Sequence, residues 1–304
     1  MKKMKNTFFK IPTGTDFRSL KTQIVILLLV LPLSCHIFGQ RDSNITEEIY
    51  KKVDTTSLSM EIHYPSEMED GKRYPAMIFY FGGGWNGGSI SQFRPHAEYF
   101  SSRGLICVLA DYRVKSRQGA TPFQSLKDAN SAIRYLRIHA DRLHIDQYRI
   151  IGSGGSAGGH LAAATAMTNG FLESGEDVTV STKPNALVLF NPVIDNGPGG
   201  YGYDRIGPAY KEFSPLHNIQ EGTPPTIIFC GTDDKLIPVA TLDYYKTVME
   251  KVGSRCDLHL YPNQTHGFFN YAKRDNYNKT VIAADNFLSS LGYITGEPTI
   301  VIKK

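Results

Sequence analysis

The chain is short of most features that would mark a special class of protein. Its 304 residues hold four cysteines and a single tryptophan. Cys35 lies near the start, and the remaining three, Cys107, Cys230 and Cys256, cannot all pair. They are expected to be buried free thiols rather than a disulfide framework. No C-x-x-C, H-E-x-x-H or calcium-loop spacing occurs, so no metal site is indicated and no cofactor is implied. No internal repeat, low-complexity tract or linker interrupts the sequence. The apolar run at residues 24–33 is ten residues long, against the about 20 that a membrane span takes. Excess charge is missing too. The formal net charge of +4 arises in the first 39 residues, which hold six Lys/Arg and one Asp and leave 27 basic against 28 acidic residues. That balance gives no basic face for nucleic acid.

What is present begins with an export signal. Lys2, Lys3, Lys5, Lys10, Arg18 and Lys21 precede the apolar run, and small Gly39 follows it. Residues 1–39 are therefore expected to be removed, with cleavage near Gln40 and an exported product, periplasmic or secreted. Leu33-Ser34-Cys35 faintly resembles a lipoprotein cleavage site, but Pro32 fits that pattern poorly. A single domain is expected over residues 40–304.

Strand patterns begin near residue 54. Leu58, Met60, Ile62 and Tyr64 alternate with polar residues, as a half-buried strand requires. Residues 76–81 are a continuously apolar run suited to a central strand covered on both faces, residues 105–110 are the next buried strand, and 148–152, 186–190, 226–230 and 257–261 are further strands. Thr121-Pro122 starts a helix as N-cap and first position, and Phe123, Leu126, Ala129, Ile133 and Leu136 follow its period. Further helices are expected near 238–252 and 279–290. Strands alternating with helices give an α/β fold with a mostly parallel sheet and helices on both faces.

The chain is organised around Gly152-Ser153-Gly154-Gly155-Ser156-Ala157-Gly158-Gly159, which follows an apolar strand and precedes an alanine-rich helix. Residues 154–158 read G-x-S-x-G, the pattern of a nucleophile elbow in that strand-turn-helix setting. The plain alternative is a glycine-rich turn or a phosphate loop. An acyl-transfer serine needs a base, an orienting acid and oxyanion donors, with the order Ser, acid, His along the chain. His266, in a loop past the last strand, is the candidate base. Asp233 and Asp234 both follow the strand at 226–230, and location alone does not choose between them. Gly82-Gly83-Gly84 follows another strand and offers backbone N–H groups. The alternatives are a surface histidine and two ordinary turns, but all three segments fall in the required order at strand ends.

Together with Asp111-Tyr112-Arg113, these segments make residues 54–290 resemble the α/β-hydrolase superfamily, specifically HGGG-type esterases of the hormone-sensitive-lipase-like and acetylxylan- or feruloyl-esterase-like groups. The resemblance implies Ser156 as nucleophile, Asp234 as orienting acid, His266 as base, and Gly83, Gly84 and Ala157 as oxyanion donors. Gly231 before it and Pro238 after it select Asp234 over Asp233. The family usually carries His where this chain has Phe81, which leaves the bracing of the glycine loop to packing. Asp111, Arg113 and Asp128 read as structural ion pairs or caps, and His160 as a packed residue. Residues 191–225 form a short cap insertion. Trp85, Tyr201 and Tyr203 are candidate substrate contacts, with packing as the plain alternative. The expected substrate is a small-molecule or oligosaccharide ester carrying a short acyl group, such as acetyl or feruloyl on a polysaccharide. A peptidase or formamidase of the same fold and a non-catalytic binding module are the alternatives.

Overall fold

The computed structural model describes residues 44–300. The expected export signal, its expected cleavage site and Cys35 lie outside them. Eight strands form one sheet: β1 (Ile45–Val53), β2 (Thr56–His63), β3 (Tyr74–Tyr80), β4 (Ile106–Ala110), β5 (Ile145–Gly155), β6 (Ala186–Phe190), β7 (Thr226–Gly231) and β8 (Cys256–Tyr261). Their order across the sheet is β1-β2-β4-β3-β5-β6-β7-β8. β1 and β2 run antiparallel, and β3 to β8 are parallel to one another. The helices are α1 (Arg94–Ser102), one-turn α2 (Lys115–Gln118), α3 (Pro122–Ile138), α4 (Ala157–Met167), short α5 (Tyr203–Ile206) and α6 (Tyr210–Phe213), α7 (Val239–Lys251) and α8 (Arg274–Ser290).

The pleat of β3 explains the two-layered cover. Ala76, Ile78 and Tyr80 enter a core with residues of α3, α4 and α7. Met77 and Phe79 enter a second core with residues of α1 and α8. Every residue of β3 is buried, as an all-apolar parallel strand should be. Thr121 caps α3 reciprocally: Gln124 N–H donates to the threonine hydroxyl and Thr121 N–H to the Gln124 side chain. Cys107, Cys230 and Cys256 are buried free thiols.

β1 has no counterpart among the strands expected from sequence. Its segment Ile45-Thr46-Glu47-Glu48-Ile49-Tyr50-Lys51-Lys52-Val53 is mostly polar and mostly exposed, so alternation fails there. Tertiary partners hold it instead. Lys51 is buried and pairs with Asp128 at 2.7 Å and Glu173 at 2.7 Å. Arg113 grips the same Asp128 with Nε at 2.8 Å and Nη2 at 2.7 Å. Asp111 pairs with Arg117 at 2.6 Å. The Asp111-Tyr112-Arg113 segment and Asp128 are thus structural, tying β1, α3 and the end of β4 together.

β3 is where the order turns. The chain leaves β3 for β4 on one side and later returns to lay β5 on the other. Connections that diverge from neighbouring parallel strands open a crevice at their carboxyl ends. The glycine loop leaves the end of β3, and Ser156 follows the end of β5.

Candidate active site

Ser156 stands between β5 and α4 with φ 55° and ψ −121°, a strained conformation for a residue with a side chain, costing about 1–3 kcal/mol. The neighbours make it possible. A Cβ on Gly158 would lie 2.0 Å from the Tyr80 carbonyl oxygen, and one on Gly154 2.5 Å from the Gly158 carbonyl carbon. No side chain fits at either position, which is the packing reason for G-x-S-x-G. The turn is pinned from both sides: Ser156 N–H donates to the Phe190 carbonyl at 2.9 Å, and Val193 N–H donates to the Ser156 carbonyl at 3.1 Å.

His266 lies in the loop between β8 and α8. Its Nε2 is 2.9 Å from Ser156 Oγ and its Nδ1 is 2.7 Å from Asp234 Oδ2. The other oxygen of Asp234 accepts from Leu236 N–H at 2.9 Å and Ile237 N–H at 3.1 Å. The carboxylate side chain is fully buried. Burial pushes its pKa up, but the bonds from His266, Leu236 and Ile237 outweigh that and leave it lowered. Asp233 is exposed, and its N–H donates to the Gln264 carbonyl at 2.9 Å. The loops carrying Asp234 and His266 are pressed together: a Cβ on Gly231 would stand 2.0 Å from that same Gln264 oxygen.

The glycine loop approaches the serine from the β3 side. A Cβ on Gly82 would be 3.4 Å from Ser156 Cβ. Gly83 has φ 132° and Gly84 has φ 63°, conformations that glycine adopts without strain. The Gly83 carbonyl accepts from Asn86 N–H at 3.0 Å and Gly87 N–H at 3.3 Å, whereas the N–H groups of Gly83, Gly84 and Ala157 donate to no acceptor among the described residues. Unpaired N–H groups in the glycine loop and at the α4 N-terminus beside Ser156 are what an oxyanion site requires.

Two expected contacts need correction or refinement. Trp85 is 1% exposed. Its ring packs against His160, Tyr201 and Phe213, so it fills space beneath the loop and offers no face to a substrate. Tyr203 is half-buried and packs on Tyr210 within the insertion, with ring centroids 6.0 Å apart. Tyr201 packs on Trp85 and reaches the glycine loop, where its hydroxyl would lie 2.6 Å from a Cβ on Gly84. Phe81 is braced by Tyr112, whose ring stacks on it at 4.1 Å and whose hydroxyl donates to its carbonyl at 2.7 Å. His160 is fully buried, and burial holds its pKa down at about 3.

Residues outside the sequence reading also meet here. Asn191, at the end of β6, is fully buried; its Oδ1 accepts from Gly267 N–H at 2.9 Å, and its Nδ2 lies 3.4 Å from His266 Nε2. The only sequence signal for it is its place directly after an apolar strand. Arg205, from the insertion, donates through Nη1 to the Gly84 carbonyl at 2.6 Å and covers the Trp85 ring at 5.2 Å. A groove of about 660 Å³ lined by Arg137, Tyr148, Pro184 and Pro225 lies at the amino ends of β5 to β7, the far edge of the sheet from Ser156. Among the described residues no group of three or more His, Cys, Asp or Glu could hold a metal ion, and no helix is long and apolar enough to cross a membrane.

Comparison with known proteins agrees with this architecture. Residues 60–198 match the BD-FAE family, and residues 198–289 match the dienelactone hydrolase family. The structure superposes on esterase 2 of Thermogutta terrifontis with a TM-score of 0.80 and 42% identity, over 84% of this chain and 97% of that one. That esterase has also been solved with propionate and with butyrate bound. Among curated sequences, the chain is 27% identical over 220 residues to a probable isoprenylcysteine alpha-carbonyl methylesterase of Arabidopsis thaliana, covering 63% of this chain and 45% of that protein. It is 26% identical over 188 residues to an acetylxylan esterase of Xylanibacter ruminicola, covering 57% of this chain and 36% of that protein. The chain thus matches half or less of the length of these two curated relatives.

Proposed function

The chain belongs to the α/β-hydrolase esterases, and on that footing we propose that it is an exported carboxylesterase for short acyl esters, acting through Ser156, His266 and Asp234. Ser156 Oγ attacks the ester carbonyl while His266 Nε2 takes its proton. Asp234 accepts from Nδ1–H, which holds the imidazole in the tautomer with a free lone pair at Nε2. The N–H groups of Gly83, Gly84 and Ala157 stabilise the oxyanion of the tetrahedral intermediate. His266 then protonates the departing alcohol, leaving an acyl-enzyme. Water, deprotonated by the same imidazole, attacks the acyl carbon, and the acid leaves as Ser156 regains its proton.

The observation that carries this reading is the continuous Ser156–His266–Asp234 chain at 2.9 and 2.7 Å. The acyl size draws support from the propionate and butyrate bound to the 41–42% identical esterase 2. An acylated polysaccharide as the alcohol side draws support from the acetylxylan esterase relative and from the export signal. The test pairs a fluorophosphonate probe with Ser156→Ala. The parent is expected to be labelled at Ser156, to hydrolyse acetyl and propionyl esters faster than long-chain ones, and to release acetate from acetylated xylo-oligosaccharide. Ser156→Ala is expected to fold normally and lose about 10⁴-fold or more in turnover. Labelling at Ser153, or full activity in Ser156→Ala, overturns the mechanism. Turnover of emulsified long-chain triglyceride with none of acetyl esters overturns the substrate class.

A further inference from the structure

The glycine loop and the histidine loop are joined by two side-chain amides that belong to no motif. Gly82 N–H donates to Gln92 Oε1 at 2.7 Å, Gln92 Nε2 donates to Asn270 Oδ1 at 2.9 Å, and Asn270 Nδ2 donates to the Gly267 carbonyl at 2.9 Å. Gln92 sits in the 3-10 turn Ile90–Phe93 that precedes α1, and Asn270 lies between β8 and α8. They are 178 residues apart in sequence.

The polarity of the chain is fixed at both ends. Gly82 contributes a main-chain N–H, which only donates, and Gly267 a carbonyl, which only accepts. Each amide therefore has one orientation that completes the bridge: Gln92 turns its oxygen to Gly82, and Asn270 turns its nitrogen to Gly267. The bridge ends next to the chemistry. Gly82 precedes Gly83 and Gly84 and lies beside Ser156, whose Cβ a Cβ on Gly82 would approach to 3.4 Å, while Gly267 follows His266 directly and is held from its other side by Asn191. Phe81 has no polar side-chain atom with which to hold the loop; Tyr112 stacks on its ring and donates to its carbonyl. Gln92 accepts from the N–H of that same Phe81–Gly82 peptide, so the peptide is pinned at its oxygen by Tyr112 and at its nitrogen by Gln92.

We infer that Gln92 and Asn270 are positioning residues of the esterase, registering the oxyanion loop against the His266 loop so that donors and base keep their spacing as the tetrahedral intermediate forms. The inference rests on the reading of Gly83 and Gly84 as oxyanion donors. Both side chains are only half-buried, so losing one frees the loops to shift without opening the core. A displacement of order 1 Å at reacting groups costs about 10²-fold in rate.

The experiment measures kcat and KM with a chromogenic acetate ester for Gln92→Glu, Gln92→Met, Asn270→Asp, Asn270→Leu and the double variant Gln92→Met/Asn270→Leu. Glu at 92 still accepts from Gly82 but cannot donate to Asn270, and the side chain of Asp at 270 cannot donate to Gly267, leaving only the main-chain N–H of residue 270 on that carbonyl at 3.3 Å. Each single variant is expected to lose about 10- to 100-fold in kcat with KM held within about two-fold. Affinity for a trifluoromethyl ketone, which forms a tetrahedral oxyanion adduct, should fall in step with kcat, with the thermal midpoint little changed. The double variant should be no worse than its poorer parent, because one broken link already opens the bridge. A kcat close to that of the parent in all four single variants, with Ser156→Ala inactive, overturns the bridge alone. So does a loss that appears in KM or in stability and leaves adduct affinity unchanged. Activity that survives Ser156→Ala overturns both the bridge and the catalytic reading beneath it.

Discussion

The sharpest test of the site is Asp234→Asn, because the local hydrogen bonds dictate how the new side chain must sit. One oxygen of Asp234 accepts from two main-chain donors, Leu236 N–H and Ile237 N–H. An asparagine amide must turn its oxygen toward them, since its NH₂ would face two N–H groups. The NH₂ then points at His266 Nδ1, which stands 2.7 Å from the carboxylate in the parent. Nδ1 must become the acceptor, so the ring proton moves to Nε2. That nitrogen lies 2.9 Å from Ser156 Oγ and, once protonated, cannot take the serine proton. The same tautomer trap costs about 10⁴-fold in turnover in a serine protease. A loss of that size is expected here near neutral pH, with KM for an acetyl ester changed far less. Asp233→Asn is the control, because Asp233 is exposed and reaches the site only through its backbone. Steady-state kinetics of both variants on one chromogenic acetate ester settle the matter. Asp234→Asn turnover within about ten-fold of the parent, or a larger loss from Asp233→Asn, would refute the reasoning.

Three further outcomes follow from the geometry. The lowered pKa of Asp234 means that the unfolded chain binds more protons than the folded one between the two values, so stability rises with pH there. The contribution is present above the unfolded carboxyl value of about 4 and is lost as pH falls through the folded value; urea midpoints should therefore drop more steeply on acidification for the parent than for Asp234→Asn. Asp128→Ala strands Lys51 and Arg113, whose side chains are 5% and 8% exposed, with only Glu173 left between them. It should cost about 3 kcal/mol by urea unfolding, and a loss below about 1 kcal/mol, the value of a surface pair, would refute that. Gly158→Ala drives a methyl to 2.0 Å from the Tyr80 carbonyl oxygen, a backbone atom that cannot step aside. It should lower stability by about 2 kcal/mol or more, read as a shifted urea midpoint, and parent-like unfolding would show that the elbow can relax.

Strand periodicity, glycine placement and chain order carried most of the architecture, because each acts over a few residues. The run at 186–190 is β6 to the residue, and those at 226–230 and 257–261 are β7 and β8 to within one. Thr121-Pro122 opens α3 as read. The elbow is legible for the same reason: Gly154 and Gly158 must be small wherever a serine stands strained between a strand and a helix. Choosing Asp234 over Asp233 needed family likeness in the sequence, whereas in the structure burial and two main-chain donors separate them at once. What only the tertiary structure decided depends on distant partners. β1 is a polar segment made a strand by a buried lysine and its carboxylates. Trp85 reads as a pocket wall but is sealed by His160, Tyr201 and Phe213. Asn191, Gln92 and Asn270 carry no local pattern, because an isolated amide acquires meaning only from the group that folding sets against it, and here Gln92 meets Asn270 across 178 residues and Asn191 meets Gly267 across 76.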